Sequence, residues 1–181
     1  MPEARLEESE YGLVAQTEGW FVVNVRDASW MQNEHFGSAC IFEGGAVDFE
    51  QVGYTIGIFE PGRPSGLYHR EANTECYLVL SGECLLLVAG EERRLRAWDL
   101  AYFPPGTDHI VVATGDRPCV VFMAGARETW PDKGIVYPRS ELALLHGAGV
   151  EQETTSPPDA YASLPQWRPG RPDEIDLPFE R

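Results

Sequence analysis

From residue 52 onward the chain alternates short apolar runs with Gly and Pro punctuation, and nothing between them carries a helical repeat. The β-branched and aromatic runs predict strands over 52–59, 77–80, 83–88, 92–96, 100–103, 109–113 and 119–124. Upstream, residues 20–26 and 38–42 read as strands and 27–36 as a polar loop. Residues 1–19 read as a poorly ordered arm or a short edge element. Many short strands without intervening helices predict an all-β sandwich or barrel.

Two of the runs, 84–88 and 119–124, are apolar on both faces, where a half-solvated strand would alternate. Their outer faces need cover from the N-terminal strands, the C-terminal segment or a second copy, so a homodimer is one expected solution. Past the strands, 139–146 is the one good helix candidate, with Ser140 placed to cap it and Gly147 to end it. Residues 151–181, rich in Pro, Asp, Glu and Thr, read as an extended acidic tail. The division expected is an arm at 1–19, a β-barrel at 20–126, and a helix and tail at 127–181.

A chain of 181 residues suffices for one domain with its own core. The net charge of −15 speaks against a nucleic-acid partner, which would want a basic stripe, and against anionic lipid. No apolar run approaches the ~18 residues of a membrane helix, and the acidic first residues are unlike a signal peptide, so the expected location is cytoplasmic. Lys occurs once, at Lys133, which leaves little for Schiff-base chemistry. Cys40, Cys76, Cys84 and Cys119 form no C-x-x-C pair and are expected to be plain thiols in a reducing compartment.

The candidate chemistry lies in His69, Glu71, Glu75 and His109. His69 and Glu71 are two apart, so on an extended chain they face the same way. Glu75 opens the next strand after a short connection, and His109 opens a later one. Inward positions of separate barrel strands converge. Two imidazoles and two carboxylates suit Mn, Fe, Ni or Zn, and an octahedral ion so held would keep two positions open. Taken singly, each has an ordinary alternative: packing for a strand His, solvation for a Glu in an acidic chain.

Tyr77 shares a face with Glu75 and is a candidate acid or hydrogen-bond donor, or simply a core residue; Tyr54 is similar. Phe103 reads as a rim or core aromatic, and Arg94 and Arg96 as an exposed face. His35 falls in a loop, and His146 in the last helical turn, where the macrodipole suits it. Trp20, Trp30 and Trp130 read as packing residues and Lys133 as exposed. No nucleophile triad, G-x-S-x-G elbow or phosphate loop is present.

The pattern resembles the cupin superfamily over residues 50–125. Gly62 precedes His69, Glu71 stands at the second histidine position of the first motif, Glu75 at its glutamate and Gly82 at its closing glycine. Pro104, Gly106 and His109 fit the second motif in order and spacing. Glu71 for His is the main departure. Gly62 is one residue further from His69 than the motif has it, and Trp98 and Ala113 replace the second motif's first glycine and last asparagine. The resemblance implies a single cupin-type β-barrel, or double-stranded β-helix (jelly roll). It implies one divalent metal ion at His69, Glu71, Glu75 and His109, and a small-molecule ligand inside. It points to a metal-dependent enzyme of dioxygenase or isomerase/epimerase type, with Glu71 or Glu75 as base and Tyr77 as proton donor. The alternative is a non-catalytic ligand-binding or metal-stabilised cupin.

Overall fold

The strand-forming runs pair almost entirely in antiparallel fashion. The structure, a computed structural model, describes residues 1–127 and 134–172. A hairpin of β1 (Leu6–Ser9) and β2 (Gly12–Ala15) precedes the main body. Then follow β3 (Ser29–Asn33), β4 (Gly37–Ile41), β5 (Val52–Phe59), β6 (Glu75–Ser81), β7 (Glu83–Val88) and β8 (Glu91–Arg96). After them come β9 (Leu100–Phe103), β10 (His109–Thr114) and β11 (Cys119–Ala126). Two short helices, α1 (Glu141–Leu145) and α2 (Pro157–Ala160), lead to β12 (Arg168–Pro169).

The larger sheet has the order β12-β3-β4-β5-β11-β6-β9 and the smaller the order β10-β7-β8. Their inner faces meet in one core, where Phe59, Val79 and Val121 of the larger pack with Leu86, Val111 and Ala113 of the smaller. Burying each such side chain stabilises the fold by about 1.5–3 kcal/mol. The expected all-β class is present, as two facing sheets rather than one closed barrel. Residues 62–69 run along the outer edge of β10: the N–H of Gly62 donates to Ala113 O (2.8 Å) and that of Ser65 to Val111 O (2.9 Å).

The chain's own ends supply the cover that the doubly apolar strands require. On the smaller sheet, Leu85, Leu87, Ile110 and Val112 pack against Ala143 and Ala148 of the α1 region. On the larger, Val120 and Phe122 pack against Ala28, Trp30, Val23 and Val25. These faces therefore do not call for a second copy.

Three upstream expectations need correction or refinement. Residues 20–26 form no strand. Trp20 makes only an isolated bridge to Glu3, and the Asn24 carbonyl accepts from Asp27 and Ala28 N–H in a turn. Val23 and Val25 are held by packing while Val22 is 79% exposed. Residues 27–36 are not all loop, because β3 lies within them. Its polar side chains hid it, and they find partners outside the sheet: Gln32 Nε2 donates to Arg171 O (2.8 Å) and Asn33 Nδ2 to Pro165 O (2.7 Å). Of the two readings of residues 1–19, the short edge element is the one that forms, as the β1–β2 hairpin.

The helix is shorter than 139–146, but its ends are as expected. Ser140 Oγ accepts from Ala143 N–H (3.3 Å), and Gly147 leaves it at φ 67°, a left-handed conformation that glycine adopts without strain. The described part of the acidic tail wraps on the body, with Tyr161, Leu164 and Trp167 packed around Phe36 and Leu67. Trp130, Lys133 and the last nine residues of the tail, 173–181, lie outside the described residues. Among the described residues no helix is long and apolar enough to cross a membrane, and the four cysteines form no disulfide.

Candidate metal centre

The site is assembled by strand pairing. His69 and His109 form an isolated antiparallel bridge, which places both rings on one face with centroids 5.1 Å apart. Glu75 opens β6 opposite Phe103 of β9. The Phe103 ring stacks on His109 (centroids 3.7 Å, 14°), and Tyr77 meets it edge-on at 5.2 Å. The turn at Gly106 fixes the approach, its N–H donating to Glu71 O at 2.7 Å.

The ring nitrogens are assigned by their neighbours. His69 Nδ1 lies 2.7 Å from Leu67 O, and His109 Nδ1 lies 2.8 Å from Thr107 O. A carbonyl only accepts, so each Nδ1 carries a proton and each neutral ring presents a lone pair at Nε2. Both Nε2 atoms face the same carboxylate oxygen, Glu75 Oε2, at 3.6 Å from His69 and 3.4 Å from His109. The ligand atoms of His69, Glu75 and His109 all lie within 4.8 Å of one another. His109 Nε2 is buried and makes no hydrogen bond. Acceptors converging in this way, each imidazole oriented through its other nitrogen, fit a divalent cation.

The proton equilibria follow from the same crowding. Burial works to lower the pKa of His69, but the Glu75 carboxylate outweighs it and the net shift is upward. His109 is pushed down to about 4, by burial first and then by the charge on His69. In the metal-free protein a proton is therefore held more readily on His69, beside Glu75, than on His109.

The other expected residues are placed as follows. Glu71 is buried and lines the same cavity as Glu75 and Tyr77, but its carboxylate is not one of the three converging groups. Tyr77 is buried, and its phenol is held well above the usual range by burial, then by Glu75 and Glu71. Tyr54, 41% exposed, also lines the cavity. Phe103 and Trp30 are core residues, while Trp20, Arg94 and Arg96 are exposed. His35 Nε2 pairs with Gly147 O and His146 Nε2 with Glu92 Oε1, both at 2.8 Å and away from the centre.

The cavity has a volume of about 380 Å³, and Thr55, Met123 and Trp167 contribute to its walls. Sequence reasoning missed Gly53, Gly125, Glu43 and Arg127, which also line it. The signal available was two glycines inside strand runs, which mark close approach of another group. Tyr137 was missed as well; its ring lies 6.0 Å from His69, and burial pushes its phenol up.

Residues 55–125 match the cupin domain family. Similar solved structures include a sugar phosphate isomerase from a cupin superfamily of Silicibacter pomeroyi. It is 29% identical, with 50% of this chain and 59% of that one covered and a TM-score of 0.45. A cupin from Shewanella frigidimarina is 18% identical over 55% of this chain and 85% of that one, with a TM-score of 0.46. A cupin protein from Bacteroides fragilis is 22% identical over 45% and 70%, with a TM-score of 0.42. The chain thus spans less than two thirds of the Silicibacter structure. Among curated proteins none matches it.

Proposed function

We propose that this cupin is a metal-dependent enzyme acting on a small polar molecule, with one divalent ion (Zn, Mn, Fe or Ni) held by His69, Glu75 and His109 and with Glu71 at its side. The observation that carries the reading is the convergence of two oriented Nε2 lone pairs on Glu75 Oε2. An ion bound there supplies a positive centre that polarises a hydroxyl or carbonyl oxygen. Glu71, buried at the cavity wall, accepts a proton from the ligand. Tyr77 keeps its proton across the physiological range and donates a hydrogen bond or a proton. These roles suit isomerisation or epimerisation α to a carbonyl, or dioxygenation if the ion is iron.

Four unpaired thiols fit a cytoplasmic setting. A homodimer belongs to the same proposal, supported by Trp98, Leu100 and Tyr102, which are 71%, 64% and 62% exposed at the open edge of the larger sheet. Light scattering that finds a monomer at all concentrations rejects the dimer alone. The function itself is tested by elemental analysis of purified protein before and after chelation and reconstitution. Near-stoichiometric metal, with Tyr77→Phe retaining metal but losing turnover on an α-hydroxycarbonyl panel, supports it. Absence of metal uptake under all conditions rejects it.

A further inference from the structure

The segment that delivers His69 does not pair evenly with β10. Pro64 bridges Val112 and His69 bridges His109, so the four residues 65–68 stand opposite only two, Ile110 and Val111. Ser65 still donates to Val111 O (2.9 Å), but the next amides turn elsewhere. The Leu67 N–H donates to the Tyr161 hydroxyl (3.2 Å) and the Tyr68 N–H to Ala148 O (2.7 Å). Just past His69, Arg70 and Val136 exchange both backbone bonds at 3.0 Å. Val136, Ala148 and Tyr161 all follow β11. The two surplus residues lift this segment off the sheet, and the C-terminal region catches it.

Leu67 links Tyr161 to the metal centre. Main-chain pairing with His109 sets where the His69 ring stands, and the Leu67 carbonyl, 2.7 Å from Nδ1, sets which nitrogen faces the ion. Leu67 is 1% exposed, so its N–H cannot turn to solvent. Without the Tyr161 hydroxyl that donor would be buried and unpaired, a penalty the chain relieves by moving. What moves is the residue whose carbonyl orients the ring. The hydroxyl itself is well held. Tyr161 is the C-cap of α2, and its ring meets those of Phe36 and Tyr137 edge-on at 5.6 and 5.8 Å. It accepts a second bond from the Tyr137 hydroxyl. Burial pushes its phenol up, against the effect of the two bonds it accepts, and keeps it neutral.

We propose that Tyr161 is a positioning residue for the metal centre: through Leu67 it holds the His69 ring with Nδ1 protonated and the Nε2 lone pair aimed at the ion. The site therefore depends on a segment outside the two facing sheets. The proposal rests on the metal-centre reading above.

The test uses full-length protein with isotopically labelled histidine nitrogens, whose magnetic resonance signals report the tautomer. In the metal-free wild type, at a pH where His69 is neutral, its ring is expected to be in the Nδ1–H form alone. In Tyr161→Phe, which removes only the hydroxyl, both tautomers are expected. Mn(II) affinity of that variant is expected to fall about three- to tenfold, less than the loss of a direct outer-sphere partner because Tyr161 acts at one remove. Tyr137→Phe, which leaves the Leu67 N–H bonded, is expected to have the smaller effect on both readouts. A single tautomer or an undiminished Mn(II) affinity in folded Tyr161→Phe overturns the proposal, as do equal effects from the two variants. If Tyr161→Phe does not fold, hydrogen exchange in the wild type decides. By reciprocity, Mn(II) should slow exchange of the Leu67 amide more than that of Leu13 in the β1–β2 hairpin, and equal slowing overturns the proposal. A wild type that takes up no manganese rejects the metal centre itself, while the tautomer readout, made without metal, still decides the positioning.

Discussion

His69 and His109 exchange both of their backbone hydrogen bonds, His69 N–H to His109 O at 3.3 Å and His109 N–H to His69 O at 2.8 Å. The bond pair makes them direct cross-strand neighbours. Their rings are therefore placed by main-chain pairing before any side-chain interaction is counted. Replacing either imidazole should leave the pairing intact and remove only the ligand.

His109→Ala should thus fold and lose metal. The expected fall in affinity is at least about 100-fold, above the 10–100-fold that loss of an outer-sphere partner costs. Elemental analysis after dialysis measures it, with circular dichroism confirming the fold. Retained stoichiometric metal would remove His109 from the ligand set.

The metal-free protein should lose stability on acidification. The folded pKa of His109 is depressed to about 4 from 6.5. Its stabilising contribution is therefore complete above about 6.5 and is lost as pH falls toward 4, about 3 kcal/mol in all. His69 acts in the opposite sense: its raised pKa contributes stability that is complete below 6.5 and lost as pH rises through the folded value. Below about 6.5 the His69 contribution no longer changes, so His109 sets the sign there. Urea denaturation at pH 7 and pH 4.5 measures the difference, and His109→Gln should flatten it.

Proton competition at His69 gives metal binding its own pH dependence. The ion needs a neutral imidazole, so affinity should rise with pH until His69 has lost its proton, at a pH above 6.5. Titrations with Mn(II) across roughly pH 6 to 9, spanning the His reference range, read it. A flat profile contradicts a role for His69 as ligand.

The two motif glycines should respond differently to alanine. Both have left-handed backbones, at φ 74° for Gly82 and 80° for Gly106. A Cβ at Gly82 would lie 2.5 Å from Pro118 O and 2.9 Å from Cys119 Cα, whereas at Gly106 it would meet nothing within 4 Å. Gly106→Ala should cost about 1–2 kcal/mol of strain, and Gly82→Ala clearly more, because backbone cannot move aside cheaply. Thermal melts of both variants decide it.

Most strands from β5 to β11 were legible because their runs end at Gly or Pro, and spacing together with the cupin resemblance nominated His69, Glu71, Glu75 and His109, of which His69, Glu75 and His109 converge. β3 was not legible, because Gln32 and Asn33 satisfy their amides far along the chain, at Arg171 and Pro165. Residues 20–26 look like a strand in composition, yet nothing pairs with them beyond Trp20. The far end of the cavity was hidden for a different reason. Arg127 follows β11 as an ordinary surface arginine would, and only the fold shows that it lines the cavity against the bare backbone of Gly53.

Gly125 has a consequence for how this chain can change. It sits between the metal ligands and Arg127, and a Cβ there would make ordinary contacts with Glu75, 3.5 Å to Cγ and 3.7 Å to Oε1. Its φ is not in the left-handed region, so alanine is sterically open to it. The length of molecule the cavity accepts is therefore written in one position that touches neither the ion nor the fold's turns. A single substitution there could shorten the accepted ligand while the chemistry stays in place, giving descendants of this sequence a ready route to new substrates.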